Sequence, residues 1–170
     1  MPRVRLRGPV FRSASMPCLR LYLAHHGDAV GPGVDIRRPL SDAGRVDTER
    51  VAAVAAARGA KPIVIWHSGK LRARQTAEIF WRACNPLAEF SATRDLQPED
   101  SPGWMADRLR FEARDILIAG HYPHLPRLLM LLSQSDGAAG AFPRHGVVAL
   151  STADEGQTWT EEWRLESRLV

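Results

Sequence analysis

Three short apolar runs in this chain each stop at polar, titratable residues. Leu21-Tyr22-Leu23-Ala24 runs into His25-His26-Gly27-Asp28. Ile63-Val64-Ile65-Trp66 runs into His67-Ser68-Gly69, with Arg72 soon after, and Ile116-Leu117-Ile118-Ala119 runs into Gly120-His121. Short apolar runs bounded by turn signals read as buried strands. Between the first two lies a helical stretch. Ser41 suits its N-cap, Asp42 its positive end and Gly59 its stop, with Val46, Ala53, Val54 and Ala57 on one face. Ser68 is placed to cap a second helix whose buried stripe is Thr76, Ile79, Phe80 and Ala83. A short strand is expected over 88–92, a helix over 102–114 with Pro102 in its first turn, and a helix from 123 to about 132. A loop rich in Ser, Gly and Ala covers 133–141, and two strands over 147–152 and 159–165 flank the Asp154-Glu155-Gly156 turn. This alternation predicts an α/β three-layer sandwich, a mainly parallel central sheet with helices on both faces. Open α/β sheets hold ligands beyond the carboxyl ends of their strands. The three strand ends would therefore deliver His26, Arg72 and His121 to one edge, where two imidazoles and a guanidinium suit a dianionic phosphate.

Composition narrows the class. A length of 170 residues suits one domain, and 45% hydrophobic with 25% charged residues is usual for a soluble globular chain. No apolar stretch approaches the roughly 20 residues of a membrane span. A net charge of +4 favours acidic partners. Nucleic acid finds no support beyond that charge, because no stripe of interleaved aromatic and basic residues is present. Cys18 and Cys84 have neither metal nor disulfide spacing and fit a reducing cytoplasm. Residues 1–15 stand apart: Arg3, Arg5, Arg7 and Arg12 sit among Pro, Gly and Ser without acids. They read as a mobile N-terminal extension, with a targeting segment or an upstream start codon before Met16 as the alternatives. Residues 16–170 then form the single domain.

In order and spacing the three strand ends resemble the histidine phosphatase (phosphoglycerate mutase-like) superfamily, and within it the small SixA-type phosphohistidine phosphatases. The first motif of that family is a strand followed by Arg-His-Gly, matched here by His25-His26-Gly27. The second is matched by Ser68-Gly69-Lys70-Leu71-Arg72-Ala73-Arg74-Gln75-Thr76, and the third by Gly120-His121-Tyr122-Pro123-His124-Leu125. The likeness runs from about Leu19 to the C-terminus and implies the histidine phosphatase fold.

The resemblance also implies roles. His26 would be the nucleophile that carries the phosphoryl group as phosphohistidine. Arg72 would hold two phosphate oxygens, and its place in the first turn of a helix supports this, since a cation is unfavourable there unless an anion accompanies it. His121 would donate to the phosphate and offset developing charge. Lys70 and Arg74 read as solvated charges, His124 as helix surface, and His67 and His145 as local structure or pocket rim. Glu99 and Asp100 lie where related phosphatases of esters place an acid, and also read as a solvated turn.

His25 departs from the family because it stands where the first-motif arginine belongs. Histidine offers one donor and carries charge only when its pKa allows. An unperturbed imidazole titrates near pH 6.5, so an activity that strengthens as pH falls toward 6 is expected if position 25 replaces the arginine. Arg37 or Arg38 is placed to bring a guanidinium from the following loop. Three functions follow from these residues. The first is a phosphatase acting on phosphohistidine of a protein or on a small phosphomonoester, releasing inorganic phosphate with no metal or organic cofactor. The second is a weak or inactive phosphate- or phosphoprotein-binding module. The third is a metal-dependent hydrolase using some of His25, His26, Asp28, His67 and His121. This last is disfavoured by the absence of a ligand motif and by the alternation that sends adjacent strand residues to opposite faces.

Overall fold

The computed structural model describes residues 18–134, 141–154 and 156–170. The expectations for residues 1–15, and for most of the loop over 133–141, lie outside these. Ten regular elements and a terminal turn follow one another: β1 (Leu19–His25), α1 (Asp42–Ala57), β2 (Val64–His67), α2 (Leu71–Cys84), β3 (Glu89–Ala92), α3 (Pro102–Leu109), β4 (Ile116–Gly120), α4 (His124–Ser133), β5 (Val147–Thr152), β6 (Thr160–Leu165) and a 3₁₀ turn at Ser167–Leu169. One six-stranded sheet holds all the strands in the order β3-β2-β4-β1-β5-β6. The first four run parallel, while β5 and β6 are antiparallel to their neighbours.

The sheet's position-by-position alternation builds two cores. Leu21 and Leu23 of β1, with Ile116 and Ile118 of β4, face Met105, Leu109, Leu125 and Leu128 of α3 and α4. Tyr22, Ala24, Leu117 and Ala119 face Val51, Ala52, Ala77 and Phe80 of α1 and α2. Central strands covered on both faces need apolar residues at every position, which is why β1, β2 and β4 read as continuous runs. The edge strand β3 is mostly exposed and gave a much weaker signal.

Several sequence expectations shift. The buried face of α1 is Gly44, Thr48, Val51, Ala52 and Ala55, whereas Val46, Ala53 and Ala57 are exposed. The face is rotated because the contact with the β1–α1 loop demands a small residue at 44, not an apolar one. Ser68 does not cap α2; Lys70 occupies that position without a side-chain cap, and Ala83 is exposed. Helix α3 stops at Leu109, its last buried residue, leaving Phe111 out in solvent. Ser41 does cap α1, accepting from the Gly44 backbone N–H at 3.0 Å.

Gly44 fixes the approach of α1 to the loop that leaves β1. A methyl group there would lie 2.2 Å from the Asp28 carbonyl oxygen, a backbone atom with no rotamer to escape into. Alanine gains about 1 kcal/mol of helix propensity. The clash costs about 1–3 kcal/mol or more. We expect Gly44→Ala to lower the thermal midpoint by several degrees; a midpoint that rises would show that the Asp28 loop yields.

Candidate active site

Strands β2, β4 and β1 are neighbours and parallel, so their carboxyl ends lie along one edge. His25 closes β1 and His26 follows it; His67 closes β2 and Ser68 follows; Gly120 closes β4 and His121 follows. The structure brings His25, His26, Arg72 and His121 together.

His26 is held in one tautomer. Its Nδ1 lies 2.7 Å from the Gly27 carbonyl oxygen, which can only accept, so Nδ1 carries the proton. Nε2 is then a lone pair, and Arg72 Nε donates to it at 3.1 Å. Burial lowers the His26 pKa to about 4, with the Arg72 charge adding to the effect and the Gly27 bond opposing it. The imidazole is therefore neutral near pH 7, with its free nitrogen facing a guanidinium.

Helix α2 supplies three residues of one face to this corner. Besides Arg72, Gln75 Oε1 accepts from the Leu40 N–H at 2.7 Å. Thr76 Oγ1 accepts from the Gly27 N–H at 3.0 Å and donates to the Arg72 carbonyl at 2.9 Å. The spacing of 72, 75 and 76 puts all three on adjacent turns of one helical surface. The second motif thus does two jobs: Arg72 reaches the nucleophile candidate, while Gln75 and Thr76 tie down the chain that follows it. Arg74, on another face, pairs with Glu78 at 2.9 Å as an exposed charge.

His121 is 1% exposed and its ring centroid lies 5.1 Å from that of His26. Ser68 Oγ is 2.6 Å from His121 Nε2. With the hydroxyl donating to that nitrogen, His121 Nδ1 is the N–H of the ring. This Nδ1 is buried and has no partner among the described residues. Burial, then the charges of His26 and Arg72, lower the His121 pKa to about 3. His124 is fully buried rather than on the helix surface as expected, with both ring nitrogens unpartnered among the described residues. As the first residue of α4 it points into the packing of the domain. His67 is local structure, its Nδ1 accepting from the Gly69 N–H at 3.1 Å.

His25 is not a charged stand-in for arginine. Its ring is buried, and its Nδ1 accepts from the His145 backbone N–H at 2.9 Å. It stacks on His145 at 5.1 Å and meets the Tyr122 ring edge-on at 4.8 Å. Burial, then the charges of His26 and His145, push its pKa down to about 2. Position 25 contributes a neutral imidazole with one N–H at Nε2, so the expected rise in activity toward pH 6 loses its basis.

Guanidinium groups come from elsewhere. A cavity of about 270 Å³ is lined by His25, His26, Asp28, Arg38, Tyr122 and Arg144, among others. Of the two loop arginines, Arg38 reaches it, with its Nε donating to the Val30 carbonyl at 3.2 Å, while Arg37 stays in solvent paired with Asp35. Arg144 was not foreseen, whereas His145, read as local structure or pocket rim, lines the cavity. His145 Nδ1 donates to the His26 carbonyl at 2.7 Å, clasping the backbone of His26. The available signal was the Arg144-His145 pair directly ahead of the last long apolar run.

His25, His26 and His145 each present a ring nitrogen within 4.8 Å of the others, a spacing that approaches a metal site. Adjacent histidines can converge because β1 ends at His25, where strand alternation lapses. A cation there would face Arg38, Arg72 and Arg144, with Arg72 already donating to His26 Nε2. The local field favours an anion. Neither possible acid faces this cavity: Glu99 is exposed, and Asp100 Oδ2 accepts from the Gln97 N–H at 2.7 Å in a groove shared with Ser68.

No family model and no curated protein matches the chain. Solved structures do. A protein from Agrobacterium tumefaciens named as a SixA phosphohistidine phosphatase is 25% identical with a TM-score of 0.72, over 86% of this chain and 97% of that one. The protein histidine phosphatase SixA complexed with tungstate is 22% identical with a TM-score of 0.79, over 89% and 99%. A mycobacterial glucosyl-3-phosphoglycerate phosphatase is 15% identical with a TM-score of 0.64, over 85% and 97%. The six-stranded sheet, its flanking helix pairs and these likenesses show that the chain has the histidine phosphatase fold and resembles its SixA-type members.

Proposed function

We propose that the protein is a phosphatase that removes a phosphoryl group from phosphohistidine through a phosphorylated His26. The observation that carries this reading is the neutral, single-tautomer His26, whose Nε2 lone pair meets Arg72 at 3.1 Å. A neutral imidazole with a free nitrogen is a nucleophile, and a guanidinium beside it is a phosphate ligand. The likeness to a phosphohistidine phosphatase that binds tungstate, an oxyanion, agrees with it.

In the first step His26 Nε2 attacks phosphorus in line, the bond to the leaving nitrogen breaks, and the substrate imidazole departs with a proton on its other nitrogen. Arg72 and the orphaned His121 Nδ1–H stabilise the equatorial oxygens. Water then attacks phospho-His26, releasing inorganic phosphate and regenerating the lone pair. The lack of an acid among the cavity-lining residues other than Asp28, whose Oδ2 accepts from Ser41 at 2.7 Å, favours phosphohistidine over an ester. An alkoxide needs a proton from the enzyme. A protonated phosphoimidazole does not.

Incubation with a histidine-phosphorylated protein should release inorganic phosphate at a rate well above that on a simple phosphomonoester. Binding of phosphate without any release, from either substrate, would overturn the reading in favour of a phosphoprotein-binding module.

A further inference from the structure

The guanidinium missing at position 25 has a counterpart on the opposite side of β1. Strand β5 runs antiparallel to β1 with Val147 opposite Ala24, so the turn that enters β5 lies beside His25 and His26. Arg144 sits in that turn. Its guanidinium stands 5.7 Å from the centre of the Tyr122 ring, and that ring meets His25 edge-on. Tyr122 is fixed in turn, its hydroxyl donating to the Phe142 carbonyl. Arg144, Tyr122, His25 and His26 line one cavity.

The turn is also built rather than free. His145 holds a left-handed backbone conformation, φ 52°, at a cost that a non-glycine residue sustains only where its surroundings demand it. Its N–H goes to His25 and its ring to the His26 carbonyl. Arg144 is thereby anchored next to the nucleophile. Some arginines elsewhere are paired with acids, as in Arg37–Asp35, Arg74–Glu78 and Arg114–Glu112. Among the described residues, no carboxylate lies within ion-pair distance of Arg144. The same holds for Arg38 and Arg72. Of these, Arg72 Nε is given to His26 and Arg38 Nε to Val30, whereas the Arg144 side chain makes no protein hydrogen bond among the described residues.

We propose that Arg144 supplies the phosphate-gripping guanidinium that position 25 lacks, holding a substrate oxygen from the β5 side of His26 while Arg72 holds one from the α2 side. The assignment rests on the phosphatase reading above. The charges fit: Arg38, Arg72 and Arg144 against Asp28 leave a surplus of two, which a phosphoryl dianion neutralises. His25 then serves as a neutral spacer and N–H donor, and the charge it fails to carry enters from the other strand.

The test is calorimetric titration of inorganic phosphate into wild type, Arg144→Ala and Arg72→Ala, with kcat/KM on a histidine-phosphorylated protein and the thermal midpoint of each. Arg144 is exposed, so its variant should fold normally. Arg144→Ala should weaken phosphate binding about 10- to 100-fold, the worth of a charge-assisted hydrogen bond, and lower kcat/KM to a similar degree at an unchanged midpoint. Wild-type affinity in Arg144→Ala, alongside a loss in Arg72→Ala, would overturn the role of Arg144 and leave the phosphatase reading in place. A loss of affinity that comes with a marked fall in midpoint would assign Arg144 to packing and overturn the proposal. Wild-type protein that neither binds phosphate nor turns over would overturn both.

Discussion

His26→Ala is expected to abolish turnover, by at least about 10⁴-fold, and to eliminate any phosphoenzyme trapped by denaturing quench. The size follows from the role. The other groups of the site position and stabilise the phosphoryl group: His25 Nδ1 is taken by the His145 N–H, His121 Nε2 meets the Ser68 hydroxyl, and His145, whose Nδ1 goes to the His26 carbonyl, has no guanidinium donating to its other nitrogen among the described residues. The variant should stay folded. It loses the bond from Nδ1 to the Gly27 carbonyl and the contact with Arg72, together on the order of 1–2 kcal/mol, while Gly27 keeps its N–H bond to Thr76. Quench labelling followed by peptide mapping separates the outcomes. Label that survives in His26→Ala, or that maps to His121 in the wild type, would reverse the assignment.

Much of the scaffold could be read from periodicity because the strands that carry the site are buried on both faces. Apart from Arg20 at the outer end of β1, the three strands β1, β2 and β4 run apolar up to the histidine or glycine that marks where the core stops. The faces of the helices were harder. The contact side of α1 centres on Gly44 and Thr48, residues that carry no apolar signal. They are there because two backbones meet at Asp28 and Gly44, and because the Thr48 hydroxyl packs against Gly27. The end of α3 at Leu109 was equally hidden, since the residues that follow have acceptable helix propensity and only the loss of a packing partner stops them.

The site divides along the same line. His26, Arg72 and His121 were legible because each follows an apolar run whose direction in the sheet is set by a parallel crossover. Arg144 and His145 precede their strand. They reach the same edge because β5 runs antiparallel to β1, and a chain read without partners carries no mark of strand direction. The charge state of His25 was hidden for a different reason. An imidazole at a strand end can be solvated or enclosed, and only the stack on His145, the edge of Tyr122 and the backbone donor to Nδ1 make it the enclosed case.

That enclosure makes the fold sensitive to acid. His25 and His121 are buried with pKa values pushed down to about 2 and about 3, chiefly by burial. In the unfolded chain both titrate near 6.5. Between those values the unfolded state binds protons that the folded state refuses, so stability present above pH 6.5 is lost as pH falls. Each group costs about 2 kcal/mol between pH 7 and pH 5, before most carboxylates respond. Together they should lower the thermal midpoint by on the order of 10 °C over that interval. His26, lowered to about 4, adds in the same direction and gives activity its own acid limb, since a protonated Nε2 is no nucleophile. The pH–rate profile should therefore be flat from neutrality to about pH 5.5 and fall below it, with no gain on the way down, because position 25 never acquires charge in this range. His25→Asn keeps an acceptor for the His145 N–H but cannot titrate. Its midpoint should fall by roughly two-thirds as much between pH 7 and pH 5. A wild-type midpoint that stays level over that interval, or a His25→Asn slope equal to that of the wild type, would mean that His25 is solvated and protonated after all, and would return it to the role of a pH-dependent substitute for arginine.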